Sequence, residues 1–382
     1  MKLNILELPP LWEPLPPKGY GAIEYLAAAQ IEEFVAMGHN VTTFASGDSV
    51  LKGNLVPIVP TALNHSHYGD PEVMRMMQFA HAAECASNYD VIHCHLHSNT
   101  GWLGLPMLAQ HADKVVFSLH TFATEENRRL LALYPNCNYV AASDSHRKSF
   151  RLPFIERFVY HGIRLEDFPY HPSPDLKKGA YLAFLGRLRP EKGVHVAIQA
   201  AKEIGLPLKI AGRAKSPDQD YFKECIEPFI KDGTVEFVGE LGPKEKTEFM
   251  GGAVALVNPT LIEEPFGLVV IEAMACGTPV LATPNGAMKE LIVHGETGLI
   301  FSAENVSSLK KETILQVNRK KVRDSIERRF SHKHMAQGYA ELFKAVSVKN
   351  RKKTIRLNVS RENVTGFTEL RKPLRLGGCS NG

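Results

Sequence analysis

At 382 residues the chain is long for one hydrophobic core, so two domains are the natural expectation. A composition of 44% hydrophobic and 23% charged residues is that of an ordinary soluble globular protein, and no run of about 18 apolar residues suggests a membrane span. The net charge of +4 is unevenly held: from Lys349 to Gly382 nine basic residues face two acidic ones, about +7, which leaves residues 1–348 at about −3.

The N-terminus, "MKLNILELPPLWEP", has too short an apolar run for a signal peptide. Short β-rich runs follow in the first half: "LNILEL", "NVTTFAS", "DVIHCHLH", "KVVFSLH", "NYVAASD" and "RFVYHGI". Helical stretches separate most of them, for instance Ile23 to Gly38, which closes on "MGHN". The alternation predicts right-handed crossovers and a parallel, doubly wound α/β sheet. A Pro-rich connector, "EDFPYHPSPDLKK", ends this half.

The pattern then restarts with "AYLAFLGR", a helix near 193–205, "PLKIAGR", a helix near 219–231, "VEFVGE", "AVALVNP", a helix after Gly267, "PVLAT" and "GLIF". The expected boundaries are residues 1–165 for the first domain, 166–178 for the linker and 179–330 for the second domain. A helix over 331–348 is expected to return to the first domain. Residues 349–382 lack a periodic apolar face and read as a basic, solvated tail, a candidate for peripheral contact with an anionic membrane surface. Nucleic acid is not an expected partner. The six cysteines lie far apart with no C-x-x-C pair, which argues against a zinc knuckle or disulfide framework and fits a reducing, cytoplasmic compartment.

In open α/β sheets ligands sit beyond the carboxyl ends of the strands, so the unusual residues there are the functional candidates. After the first strand, "PPKGYGAIE" offers Gly19 and Gly21 for close backbone approach, just before a helix N-terminus and Glu24. After the first strand of the second half, "GRLRPEKG" brings Arg187 and Lys192 near backbone amides, a combination that suits a diphosphate. In "EEPFGLVVIEAMACGTPV", Pro265 fixes the entry, Phe266 packs, and Gly267 and Leu268 open a helix whose first N–H groups stay free. Glu264 stands at the loop tip. Glu272 lies mid-helix among Val, Ile, Ala and Met, where a carboxylate costs several kcal/mol unless it is hydrogen-bonded. Sugar hydroxyls are suitable donors to both carboxylates.

The spacing of Glu264 and Glu272 in "EEPFGLVVIE" resembles the E-x7-E signature of the retaining glycosyltransferases of family 4, and the resemblance runs from about residue 2 to residue 346. "KGYGAIE", "DVIHCH", "SLHTF", "AASDSHR", "YHGI", "LGRLRPEKG" and "GTPVLATPNGAMKELIVHGETGLIF" follow the family's motifs in order. The resemblance implies a GT-B fold, two Rossmann-like domains facing a cleft, and transfer of a hexosyl group from a nucleotide-diphosphate sugar to a hydroxyl acceptor. It implies no cofactor and no metal. Glu264 would hold the donor sugar and Glu272 the ribose. Arg187 and Lys192 would hold the diphosphate, assisted by backbone at Phe266, Gly267 and Leu268. Gly19, Gly21 and Gly212 would lie on the donor side, and His120 beside the transferred sugar, with its carbonyl or its ring stabilising developing charge. His93, His95, Glu24, Ser143 and Arg147 are the acceptor-side candidates. Two positions depart from the pattern: Ala22, where many members have a second glycine, and His161, where Asn is common.

Other readings compete. His93, His95 and His97 share one strand face, and an H-x-H pair with His120 could bind zinc as in a metallohydrolase, although no carboxylate is clustered near them in the sequence. A nucleotide-sugar epimerase, a sugar phosphorylase, or a non-catalytic nucleotide-sugar binder would share the two-domain pattern.

Overall fold

The computed structural model describes residues 1–19, 21–97, 99–175, 179–213 and 218–362, with side chains described to residue 350. Two parallel sheets form. The first holds β1 (Asn4–Leu8), β2 (Asn40–Ser46), β3 (Asn54–Val59), β4 (Val91–Leu96), β5 (Val115–Leu119), β6 (Asn138–Ala141) and β7 (Arg157–Phe158), in the order β3-β2-β1-β4-β5-β6-β7. The second holds β8 (Leu182–Arg187), β9 (Leu208–Arg213), β10 (Val235–Gly239), β11 (Ala255–Asn258), β12 (Val280–Ala282) and β13 (Gly298–Ile300), in the order β10-β9-β8-β11-β12-β13. Helices cover both faces, which is why strands such as β4 and β5 are buried at every residue and read as continuous apolar runs. In each sheet the strand order reverses beside the first strand, between β1 and β4 and between β8 and β11. Those two switch points are where ligands bind in such sheets.

One strand escapes the sequence reading. β3, "NLVPIV", carries Pro57 and is only partly buried. It lies at the sheet edge, where a missing N–H costs little. The helix read over 219–231 is two helices, Gln219–Cys225 and Glu227–Lys231, broken just before Pro228.

The last helix, His332–Glu362, buries Met335, Ala336, Tyr339, Ala340, Phe343 and Val346 against the first domain. The three-and-four spacing makes one stripe, which meets Leu26, Ala27, Ile31 and Phe34 of the helix Ala22–Ala36. Fully burying Phe343 alone contributes roughly 1.5–3 kcal/mol. This helix also runs beyond residue 348, where the sequence reading starts an unpatterned tail. Residues 349–362 contain no Gly or Pro to stop it, and the docked turns before them supply the nucleus. The remaining tail, 363–382, lies outside the described residues. No described helix is long and apolar enough to cross a membrane.

Polar contacts tie the two domains together on the rim of the cleft. The Glu290 carboxylate accepts from the backbone N–H groups of Asp144 (3.0 Å) and Ser145 (2.7 Å) and from the Tyr160 hydroxyl (2.9 Å). Beside it the Ser143 hydroxyl donates to the Pro265 carbonyl at 2.7 Å.

Candidate active site

The turn after β8 sets the cationic side of the cleft. Arg187 ends the strand, is exposed, and has no ion pair among the described residues. A 3-10 turn, Pro190–Lys192, then delivers Lys192, whose ammonium is hydrogen-bonded to the Glu264 carboxylate. Gly193 makes this turn. Its φ of +71° is left-handed, and a Cβ there would stand 2.1 Å from the Pro259 carbonyl oxygen. Gly193→Ala should therefore lower unfolding stability by at least about 2 kcal/mol, because it adds a left-handed penalty to a backbone clash. Chemical denaturation would measure it.

Opposite lies the helix Leu268–Ala275, which begins after Gly267 with no side-chain cap. Among the described residues its first-turn N–H groups meet no side-chain acceptor, and this positive helix end follows directly on the loop whose Glu264 holds Lys192. Eight residues further than Glu264, the Glu272 carboxylate is paired with Lys246 at 2.8 Å. Lys246 comes from the helix Pro243–Gly252. This answers the cost of a mid-helix carboxylate: in the ligand-free protein a lysine, not a hydroxyl, is the partner. The Glu272 side chain keeps 13% exposure, so the pair is not sealed in the core.

Gly212, expected on the donor side, serves the pairing of the strand ends. A Cβ there would meet the Gly186 carbonyl oxygen at 1.9 Å, and the two residues are paired in register across β8 and β9. The glycine is what lets the strand ends approach beside Arg187.

The first domain contributes the histidines. Parallel register places Glu7 of β1 beside His93 of β4, and His95 of β4 beside Ser118 of β5. All four point to one face and are buried. His93 Nδ1 lies 2.9 Å from Glu7 Oε2, His93 Nε2 lies 2.7 Å from the Ser118 hydroxyl, and that hydroxyl lies 2.7 Å from the Tyr339 hydroxyl. His95 Nδ1 lies 3.0 Å from His120 Nε2. The rings of His95 and His120 run near-parallel with centroids 5.2 Å apart, those of His120 and His161 with centroids 5.3 Å apart, and His161 meets Phe266 edge-on at 5.1 Å. A file of rings thus runs from the first domain to the loop that carries Glu264. His146 fixes its base: its Nδ1 accepts from the Ala142 N–H and its Nε2 donates to the Thr121 carbonyl.

Burial controls the charge of this file. It pushes His93 down to about 3, His95 to about 4 and His161 to about 3, and holds His120 well below its ordinary value. Burial also raises Glu7. The histidines are therefore neutral at pH 7, able to donate or accept but not to carry positive charge.

Near the glycine loop, Glu24 is buried in the first turn of its helix and burial pushes its carboxyl up to about 7. Gly21 caps that helix, where a Cβ would stand 2.7 Å from Pro17. Gly19 is described with open space around it.

Of the residues expected from sequence, Lys192, Glu264, Phe266, Gly267 and Leu268 come together at one helix end, with Glu272 on the same helix. His93, His95 and His120 form one connected group. Ser143 and Arg147 are occupied elsewhere. The Ser143 hydroxyl caps its own helix and holds Pro265, and Arg147 is paired with Asp144. Glu7, Ser118, Lys246, His161 and Tyr339 were not singled out as site residues. The reading that no carboxylate lies near the histidines is corrected by Glu7, which sequence places 86 residues from His93. Only strand register could have found it.

Residues 170–331 match the family model for glycosyl transferases group 1, and residues 23–175 match that for Glycosyltransferase Family 4. An uncharacterized glycosyltransferase of Methanocaldococcus jannaschii is 30% identical over 174 residues, 43% of this chain and 48% of that protein. The chain thus spans about half the length of that relative. A second uncharacterized glycosyltransferase of the same organism is 25% identical over 346 residues, 78% of this chain and 85% of that one. Among solved structures, Anabaena HepE in complex with UDP-glucose superposes with a TM-score of 0.65 at 19% identity, covering 90% of this chain and 100% of its own. Two parallel-sheet domains with these neighbours define the GT-B fold. With its two matched segments running from residue 23 to residue 331, the chain belongs to the group 1 glycosyltransferases, its first domain being of the family 4 type.

Proposed function

We propose that this glycosyltransferase moves a hexosyl group from a nucleotide-diphosphate sugar to a hydroxyl acceptor, with retention at the anomeric carbon and without a metal ion. The observation that carries this reading is the pairing of Lys192 with Glu264 just before an uncapped helix start at Gly267, with Arg187 exposed at the end of the strand that leads to Lys192. A diphosphate needs cations and fixed N–H donors, and this corner supplies both. The UDP-glucose bound to Anabaena HepE supports a nucleotide sugar as the ligand of the equivalent cleft.

On this reading the diphosphate displaces Glu264 from Lys192, and the freed carboxylate turns to the sugar hydroxyls. Glu272 exchanges Lys246 for the ribose. As the bond from anomeric carbon to phosphate stretches, negative charge grows on phosphate oxygens held by Arg187, Lys192 and the helix N-terminus. His120, neutral, faces the sugar from the other domain. The acceptor enters along the first domain, past Glu24 and the glycine loop.

Three measurements test this. Nucleotide sugars that raise the melting temperature identify the donor, since a ligand that binds only the folded state stabilises it. With that donor, NMR of the first product should show the anomeric configuration unchanged, and EDTA should leave the transfer rate within about twofold. An inverted product would overturn the retaining assignment. Loss of activity in EDTA, restored by zinc or magnesium, would overturn the metal-free one.

A further inference from the structure

We propose that Glu7 is a positioning residue which, acting through His95, fixes the tautomer of His120 so that its Nδ1 presents a lone pair to the hydroxyl of a bound sugar. This deepens the reading above and rests on it for the part played by His120.

The argument starts at His95. Its Nε2 is buried and has no hydrogen-bond partner among the described residues, and the nearest carboxylate oxygen is Glu7 Oε2 at 3.6 Å. That is too long for a full hydrogen bond, yet close enough for the field of the oxygen to decide what the nitrogen carries. Although burial raises Glu7, both its oxygens share the one His93 Nδ1, the arrangement of an ionised carboxylate accepting an N–H, and near such an oxygen a lone pair is repelled whereas an N–H is attracted. The hydrogen of His95 therefore sits on Nε2. A neutral imidazole has only one N–H, so Nδ1 of His95 is an acceptor. The 3.0 Å contact between His95 Nδ1 and His120 Nε2 then requires the hydrogen of His120 on Nε2. Nδ1 of His120 is left as a lone pair, with no hydrogen-bond partner among the described residues.

Glu7 is itself held for this task. Its Oε1 and Oε2 lie 3.1 and 2.9 Å from His93 Nδ1. His93 is fixed in turn by Ser118, and Ser118 by Tyr339 from the last helix. The direction of the hydrogen bonds at His120 is thus set by a carboxyl group two side chains away, in a wall stiffened by the docking of the last helix. The neutrality of the rings, imposed by burial, is what makes one tautomer choice dictate the next.

The test is long-range 1H–15N correlation spectroscopy on the full chain labelled with 15N-histidine, with His120→Asn identifying the His120 signals by their loss. Wild-type protein should show His120 as the Nε2–H tautomer. Glu7→Met, which keeps bulk and removes the oxygen, should move the His120 signals toward the Nδ1–H form. The same variant should lower kcat about 10- to 100-fold while leaving the donor KM within about twofold. An Nδ1–H tautomer in the wild type overturns the proposal, and so does an unchanged His120 spectrum in Glu7→Met. One equivalent of zinc in the purified protein would also overturn it, since Glu7, His93 and His95 lie close enough to share an ion. If Glu7→Met fails to fold, the wild-type spectrum still decides. If the tautomers are as stated but His120→Asn transfers sugar normally, the fault lies in the role given to His120, not in the relay.

Discussion

Lys192→Ala should lower kcat about 30- to 1,000-fold, the equivalent of losing roughly 2–4 kcal/mol of transition-state stabilisation. The leaving diphosphate gains charge as its bond to the sugar breaks, so a cation beside it binds the transition state more tightly than the donor. Nucleotide affinity should fall as well, because part of the same contact exists in the ground state. Folding stability should barely change. The Lys192–Glu264 pair keeps 17% and 20% side-chain exposure, and such a pair at a cleft surface contributes little once solvent screens it. Steady-state kinetics and melting temperature on one accepted donor separate the two effects. Arg187→Ala should resemble it in kinetics without any change in ion pairing among the described residues, where Arg187 has no ion-pair partner.

The two cleft carboxylates should fail in different ways. Glu264→Gln should lower kcat, because on the proposed reading this carboxylate positions the reacting sugar, and small misplacements there are costly. A drop of about 100-fold is expected. Glu272→Gln should act mainly through KM, raising it about tenfold, because the ribose is remote from the reacting bond and its contact is alike in ground and transition states. The Lys246–Glu272 pair adds a control. Lys246→Met should raise KM less than Glu272→Gln, since it removes only the residue that keeps the carboxylate occupied before the donor arrives. Kinetics on the three variants decide the order. A kcat effect for Glu272→Gln equal to that for Glu264→Gln would show that the two carboxylates share one role.

Much of this was legible in the chain because parallel strands buried on both faces leave long apolar runs, and turn residues punctuate them. All six strands of the second domain, and the helix that opens at Leu268, follow from that pattern. β3 was not legible because Pro57 breaks the run, and only an edge position tolerates it. The site was legible where it is local: Arg187, Lys192, Glu264 and Glu272 stand after strands or inside one short helix. It was opaque where register or docking makes it. Glu7 reads as an ordinary first-strand residue until β1 is laid beside β4, and Tyr339 reads as helix core until its hydroxyl is found on Ser118. Ser143 and Arg147 show what sequence hides in the opposite sense. A Ser and an Arg after a strand look available, but here they serve a helix cap and a local ion pair.

The central claim is that a nucleoside diphosphate is held by Arg187, Lys192 and the helix start at Gly267 without a metal. Calorimetric titration of the full chain with UDP, GDP and ADP in buffer containing EDTA tests it most directly. At least one of these nucleotides should bind the wild-type protein, and the same nucleotide should bind Lys192→Ala at least about tenfold more weakly, the loss of one charge-assisted contact. Absence of binding by all three, or equal affinity in wild type and Lys192→Ala, would contradict the account.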